Sequence, residues 1–311
     1  MTLRELRTHI ALYIQRRLGT IRENLRLGPG SPGAEKVEQL NSRADQLFVW
    51  ASVACNFVED GYDPPIQLNE LLAMSSDTSG PTGSPLAPLD TLYCRILENA
   101  FSEKRALEHL RYVVAPCTRI GLDSLLGLGD EAGGEPVVLP GGRHIHLSSS
   151  NSIISSLRSI LRIVFDSNGI EGLVCLLHPS LYDFLTRRAD ARFRINLLEQ
   201  NQILALRCLT TMNNQLKFNI CKIPDASLLN QEVQDFPGLI SRCISEGLRY
   251  SCCFFAQHLV DVQDLDAMAG VALEEFITKH HLHWIEVMSW LGEVDKAESC
   301  LQVLADRMKV R

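Results

Sequence analysis

Hydrophobic residues recur at every third or fourth position over much of the chain, a spacing that is typical of amphipathic helices. The N-terminal segment shows it most clearly, with apolar residues Leu3, Leu6, Ile10, Ile14, Leu18, Ile21 and Leu25. The spacing predicts helices over residues 3–26, 34–59, 66–73, 88–100, 103–114 and 151–161. The stretch Leu47–Cys55 is apolar on nearly all sides, so we expect it to be buried on several sides.

The segment after Asn196 returns to the same helical spacing after an interruption. It predicts helices over residues 197–216, 237–260, 265–279, 282–291 and 294–308. Consecutive helices joined by short breaks are typical of helical bundles and α-solenoids. This part of the chain is therefore expected to form a helical-repeat-like tail.

Strand patterns occur between these two helical regions. Ile163–Phe165 and Ile170–Leu177 are short apolar runs on either side of Asn168-Gly169, a dipeptide that favours a hairpin turn. A helix is predicted to begin directly after His178, because Pro179 suits the first helical position. Helices followed by a two-stranded hairpin and a further helix indicate a winged-helix module. The expected fold class is mainly α: a helical subdomain plus a winged-helix (small α+β) module, followed by the tail.

The composition is that of an ordinary globular protein, since 46% of the 311 residues are hydrophobic and 22% are charged. The net charge of −7 and the lack of a Lys/Arg block argue against nucleic-acid binding. The most basic segment, residues 187–194, is expected to be a solvated loop. No apolar run reaches the roughly 18 residues of a membrane span, and no signal-peptide core is present. Ten cysteines without a C-x-x-C pair indicate buried free thiols, so we expect a cytoplasmic protein.

Three stretches resemble motifs of the NACHT-type STAND nucleotidases of filamentous fungi. Leu40–Cys55 resembles the family's A-x-G-L-F-I-W-A-x-x-A helix, although Gln46 stands in place of the glycine. Pro88–Leu97 resembles L-D-x-L-Y-x-x-I-L, and Leu177–Leu185 resembles the L-H-x-S-F-x-D-F-L of the winged-helix subdomain. Further similarities lie at Cys208–Met212, Asn219–Cys221, Tyr250–Cys252 and Ala256–Leu259.

The family's nucleotide-binding motifs are missing from this sequence. The P-loop, G-x-x-x-x-G-K-[ST], does not occur, and there is no Gly-Lys dipeptide. No apolar strand ends in an acidic pair that could hold Mg²⁺. We therefore expect no catalysis, and no cofactor unless a nucleotide-binding domain is supplied to bind ADP or ATP.

The resemblance implies four segments. They are the terminal helix of a truncated nucleotide-binding domain (1–33), a helical subdomain (34–115), a winged helix (116–190) and a helical extension (191–311). The segment 113–121 is shorter than its family counterpart, which bears on the integrity of the winged helix.

Two functions fit these patterns. The first is a non-catalytic fragment or degenerate paralogue of a NACHT/STAND signalling regulator that acts by protein–protein interaction. The alternative is an independent α-helical scaffold whose solenoid-like tail binds a partner protein or peptide. The expected partner is a protein or the missing nucleotide-binding domain, and neither nucleic acid nor membrane. Without that domain, the apolar faces of 3–26 and 47–55 must find another partner, self-associate or aggregate.

His178 is the one candidate site residue. In the family the matching histidine contacts the phosphates of ADP, which implies a nucleotide-sensing role at a helix N-terminus. The alternative is a histidine that caps the helix or bonds a neighbouring backbone group. Ser180 is explained as a capping serine, because no G-x-S-x-G motif surrounds it. No metal site is expected: neither His144 with His146 nor His280, His281 and His283 have further ligands at matching spacing.

Overall fold

The structure, a computed structural model, is mainly helical. It describes residues 2–24, 26, 28, 30, 32–61, 63–74, 85–100, 110–111, 114, 157–165, 172–225, 228–260, 262 and 267–309. The chain divides into two compact units, with the N-terminal helices and Cys175–Ile195 in the first and the helices after Asn196 in the second. The mainly α class expected from the sequence is confirmed, whereas the winged-helix and repeat-like details and the four-segment division stay predictions.

Five helices begin the first unit. They are α1 (Leu3–Asn24), α2 (Ala34–Ala44), α3 (Phe48–Asp60), α4 (Pro64–Ala73) and α5 (Ala87–Ala100). Helix α1 buries Ile10, Ile14, Leu18 and Ile21, which are the inward positions of its apolar stripe, and packs against α2 and α3. Helix α3 buries Trp50, Ala51, Val53, Ala54, Cys55, Phe57 and Val58. Burial of the Leu47–Cys55 stretch on several sides is thereby largely confirmed.

The prediction of a single helix over 34–59 is wrong, because the helix is interrupted between α2 and α3. Asp45 and Gln46 adopt positive φ angles of 33° and 71°, and Leu47 is extended. A right-handed helix cannot pass through left-handed residues, so it ends at Ala44 and restarts at Phe48. The apolar spacing continues across this break, and for that reason the sequence pattern does not show it. Gln46 occupies the position that is glycine in the family motif which this stretch resembles. Glycine is the residue that tolerates a positive φ best.

Two strands, β1 (Leu161–Phe165) and β2 (Gly172–Leu176), pair to form a two-stranded sheet. This pairing confirms the hairpin strands, although Leu161 belongs to β1 and not to the preceding helix as predicted. Helix α6 (Pro179–Asp183) follows and continues into a π-helical turn, Phe184–Arg188. The predicted helix start at His178-Pro179 is confirmed.

Helices α7 to α12 lie in the second unit. They are α7 (Leu197–Gln215), α8 (Phe236–Cys243), α9 (Glu246–Val260), α10 (Ala267–Glu275), α11 (His281–Trp290) and α12 (Val294–Lys309), with a short 3₁₀ helix at Asn230–Glu232. Helix α7 packs mainly along α9 and α10. The rings of Phe255, Phe276 and Trp284 meet edge to face with centroids 5.1–5.8 Å apart, and the Trp284 indole donates to the Cys252 carbonyl at 2.9 Å.

Two helix boundaries in this unit differ from the prediction. The single helix expected over 237–260 is interrupted at Ile244, which is extended and buried, and at Ser245, whose hydroxyl accepts from the Leu248 N–H at 3.1 Å. Conversely, the expected break between 279 and 282 is absent, because the π-helical turn Phe276–His280 joins α10 to α11. Ile244 and Phe276 are both buried, and the apolar spacing alone does not show which helix is interrupted and which continues.

Several predictions fall on residues outside those that the structure describes. These are most of the helix over 103–114, the pair His144 and His146, and the first part of the helix over 151–161. Among the described helices, none is long and apolar enough to cross a membrane.

Candidate functional site

His178 is the N-cap residue of α6. Its backbone is extended (φ −147°, ψ 145°), and the Ser180 N–H donates to its Nδ1 at 3.1 Å. Pro179, at the first helical position, has no N–H to satisfy. Since Nδ1 accepts a backbone hydrogen bond, the ring proton of the neutral histidine lies on Nε2. The exposed His178 ring therefore ends the strand and starts the helix as a side-chain cap.

Ser180 links this cap to the interior of the first unit. Its Oγ lies 2.8 Å from His178 Nδ1 and 2.9 Å from the hydroxyl of Tyr93 on α5. The Tyr93 ring is buried and lies 5.4 Å from the Phe184 ring, centroid to centroid. Burial raises the pKa of Tyr93, so its hydroxyl stays protonated and neutral. A hydrogen-bonded chain thus runs from the exposed cap to a buried tyrosine.

Arg188 and Asp90 form an ion pair beside this chain. Arg188 Nε donates to Asp90 Oδ2 at 2.9 Å and its Nη2 donates to Oδ1 at 3.0 Å, a bidentate arrangement. The same Nη2 donates to the Ser180 carbonyl at 3.2 Å. Both side chains are partly buried. The expectation of a solvated loop over 187–194 is therefore wrong at Arg188, which joins the end of the π-helical turn to the first turn of α5.

The N–H groups at the start of α6 are already in use. Pro179 has none, Ser180 donates to the His178 ring, and the Leu181 N–H donates to the His178 carbonyl at 3.1 Å. Anion binding at a helix N-terminus depends on N–H groups that point at the ligand without another acceptor. The geometry of α6 thus favours the capping interpretation of His178, and its nucleotide-sensing role stays a prediction.

A second polar cluster lies inside the helices of the second unit. His258 on α9 is buried; its Nε2 lies 2.7 Å from the Tyr250 hydroxyl and its Nδ1 lies 3.0 Å from Asn201 Oδ1. Because an amide oxygen can only accept, Nδ1 donates to Asn201 and Nε2 accepts from Tyr250. Burial lowers the pKa of His258 to about 4, so the ring is neutral at pH 7. The cluster is suited to holding α7 and α9 together.

The remaining candidate residues from the sequence form neither a metal site nor a catalytic site within the described part of the chain. The rings of His280 and His283 lie 5.9 Å apart, centroid to centroid. Within the described ranges, no three His, Cys, Asp or Glu side chains are arranged to hold a metal ion. Ser180 does contact His178, but it does so as part of the helix cap. Among the described residues, no acidic side chain is hydrogen-bonded to His178 to complete a catalytic triad.

Sequence reasoning missed three of the residues in these clusters: Asp90, Arg188 and Asn201. Asp90 and Arg188 are 98 positions apart along the chain, and no periodicity relates them. Asn201 lies on the polar side of an amphipathic pattern, where an exposed position is the ordinary expectation. A signal did exist for Tyr250 and His258, since both lie in stretches that resemble the nucleotidase family.

Comparisons of the chain with protein-family models, curated proteins and solved structures found no match. The family resemblance is therefore based on the sequence motifs alone.

Proposed function

We propose that the chain is a non-catalytic interaction protein whose α10 and α11 helices bind an amphipathic helix of a partner polypeptide. The observation that carries this proposal is a set of large apolar side chains on the solvent side of these helices. Met268 and Val271 on α10 are 70% and 67% exposed, and Leu282 and Ile285 on α11 are 66% and 41% exposed.

The spacing of these side chains supports a helical partner. Each pair is separated by three positions, so its two members project from the same side of their helix. The opposite sides of α10 and α11 are core, with Ala269, Leu273, Trp284, Val287 and Met288 buried. Apolar residues on both sides of a helix indicate that it is covered on both sides in the functional state. A helix with apolar residues at matching spacing is the partner that such a face accommodates.

The non-catalytic part of the proposal is supported by the sequence and by α6. No P-loop is present to cradle phosphates. At the start of α6, both available N–H groups and His178 Nδ1 are engaged within the protein. We propose that the chain is related to the region that follows the nucleotide-binding domain in NACHT-type regulators, and that it acts in signalling through contacts alone.

The test is a comparison of two surface variants of the full chain. Leu282→Ser/Ile285→Ser removes the apolar pair on α11, and Leu198→Ser changes a similarly exposed apolar residue in the first turn of α7. Wild type, the double variant and the control are each expressed in cells and cross-linked to the proteins that they contact. The cross-linked proteins are then quantified. Any protein lost only with the double variant is then purified and titrated against all three.

We expect such a protein to bind wild type and Leu198→Ser, and to bind the double variant at least about tenfold more weakly, since two buried apolar side chains are removed. Unchanged thermal unfolding of the double variant establishes that it is folded. Equal recovery and equal affinity for all three chains would contradict the proposal. Loss of a dimer, measured by sedimentation, would identify the occupant as a second copy and refute the separate partner.

The alternative, an independent helical scaffold, is favoured by the fact that α7 to α12 lie together in the second compact unit. Limited proteolysis between 187 and 196 distinguishes the two cases. An independent scaffold keeps its helical circular dichroism and cooperative unfolding after cleavage and separation, whereas a dependent extension unfolds or aggregates.

A further inference from the structure

The solvent side of α11 carries a carboxylate among its apolar residues. Leu282, Ile285, Glu286 and Ser289 lie at helical spacing, so their side chains project from the same side of the helix. Leu282 and Ile285 are exposed, and Glu286 is half-buried. A partner that covers the two apolar residues must therefore also cover Glu286.

Phe218 extends this apolar side beyond α11. It directly precedes Asn219, whose N–H donates to Glu286 Oε2 at 3.1 Å. The Asn219 side chain in turn closes onto Ile223, accepting from its N–H at 2.7 Å and donating to its carbonyl at 2.8 Å. Phe218 is 75% exposed. A hydrogen-bonded turn thus holds an exposed aromatic ring close to Glu286.

Leu229 extends the same side toward the end of α11. The amide of the next residue, Asn230, donates to the Ser289 carbonyl at 3.4 Å. This carbonyl belongs to the last turn of the helix, where backbone acceptors have no partner within the helix. Leu229 is 66% exposed. We call the following residues the α11 surface: Phe218, Leu229, Leu282, Ile285 and Glu286.

Glu286 is the charged residue of the α11 surface. Within the described residues, its carboxylate accepts only the hydrogen bond from Asn219, and no Lys or Arg lies within ion-pair distance of it. Solvent stabilises the rest of this charge in the free chain. A partner that covers the surface removes that solvent, and a carboxylate that leaves water without a counter-charge is strongly destabilising. A partner that binds here must therefore supply a cation.

We propose that the partner helix carries an arginine or a lysine that pairs with Glu286, while its apolar residues pack on the rest of the α11 surface. This inference rests on the proposed function, because it specifies the chemistry of the partner at the same helix. Arginine fits better than lysine, since its planar guanidinium can donate to both carboxylate oxygens. The partner is thus an amphipathic helix with a cation beside its apolar stripe.

The test uses the full chain and synthetic helical peptides of about 21 residues, or three heptads. Each peptide has leucines at steps of three and four and one arginine, which is placed in turn at each position beside the leucines. A matched series has citrulline at these positions, because citrulline keeps the shape of arginine but is neutral. Fluorescence anisotropy measures the affinity of each peptide for wild type and for the variants.

We expect at least one arginine peptide to bind wild type about tenfold more tightly than its citrulline counterpart, because the ion pair forms where solvent is excluded. Glu286→Gln keeps an acceptor for the Asn219 N–H but has no charge, so it should bind both peptides equally. Glu298→Gln neutralises an exposed glutamate on α12 and is the matched control, which should retain the preference. Unchanged thermal unfolding establishes that each variant is folded.

Removal of apolar side chains separates this inference from the proposed function. Phe218→Ser and Leu282→Ser/Ile285→Ser should each weaken the arginine and citrulline peptides by similar factors. Equal binding of both peptides to wild type, lost in these apolar variants, would refute the cation and leave the helix-binding function standing.

Three other results would overturn the inference. The first is a preference for arginine that persists in Glu286→Gln, and the second is a preference that Glu298→Gln abolishes to the same extent. The third is the absence of binding of every peptide to wild type. In that case the cross-linking experiment still decides the proposed function independently.

Discussion

Acidification is expected to destabilise the protein through His258. The unfolded chain binds a proton at this histidine below its ordinary pKa of 6.5, whereas the folded protein binds it only near pH 4, because the ring is buried. Between these two values the unfolded state holds more protons, so the free energy of unfolding falls as pH decreases. This contribution is fully present above pH 6.5 and is lost as pH falls toward 4.

The size of the effect follows from the two pKa values. The gap between 6.5 and about 4, at about 1.36 kcal/mol for each pKa unit, corresponds to a loss of about 3 kcal/mol. In the middle of the interval the slope approaches about 1.4 kcal/mol per pH unit, as expected for one proton. The structural cause is direct. A protonated ring makes both nitrogens donors, so Nε2 can no longer accept from Tyr250.

Urea unfolding at a series of pH values across this interval measures the effect. His258→Gln keeps an acceptor for Tyr250 but cannot titrate, so its free energy of unfolding should lose this part of the pH dependence. His9→Gln removes an exposed histidine and should follow wild type. If wild type and His258→Gln lost stability in parallel between pH 6.5 and 4, the buried-histidine explanation would be refuted.

Three further predictions concern the first unit, and urea unfolding measures each. Gln46→Gly should raise the free energy of unfolding by about 1 kcal/mol, because glycine adopts a φ of 71° without strain; an unchanged or lower value contradicts this. Arg188→Gln and Asp90→Asn should each lower the free energy of unfolding by about 1 kcal/mol. Because the two side chains are paired, a double-mutant cycle should show that these losses are not additive. Additive losses would show that the pair is not coupled. Tyr93→Phe should cost about 1 kcal/mol by removing a hydrogen bond from a buried ring, and wild-type stability in this variant would exclude that contribution.

Local sequence chemistry predicted the features that depend on neighbouring residues. The apolar stripe of α1 and the helix start at Pro179 both follow from residues within a few positions of one another, and both are present. The strands β1 and β2 were expected from their apolar runs and their turn dipeptide. In each case the determining interactions are short in sequence, so a single chain is enough to infer them.

Features set by tertiary packing were not predictable in this way. The apolar period runs unbroken through Asp45-Gln46 and through Ile244-Ser245, yet the chain turns at both places. In the first case two residues take a left-handed conformation, and in the second an extended residue is buried. The Arg188–Asp90 pair depends on how α5 and α6 pack, and periodicity carries no information on that packing.

We propose that the chain works through contacts and does not bind or hydrolyse nucleotides. Isothermal titration of the full chain with ADP and with ATP in the presence of Mg²⁺ tests it most directly, with His178→Ala titrated in parallel. We expect no binding heat for either chain and no phosphate release above that of buffer. We also expect a lower melting temperature for His178→Ala, because the α6 cap is lost. Micromolar binding of either nucleotide to wild type, weakened by His178→Ala, would contradict the claim and would establish His178 as a nucleotide contact.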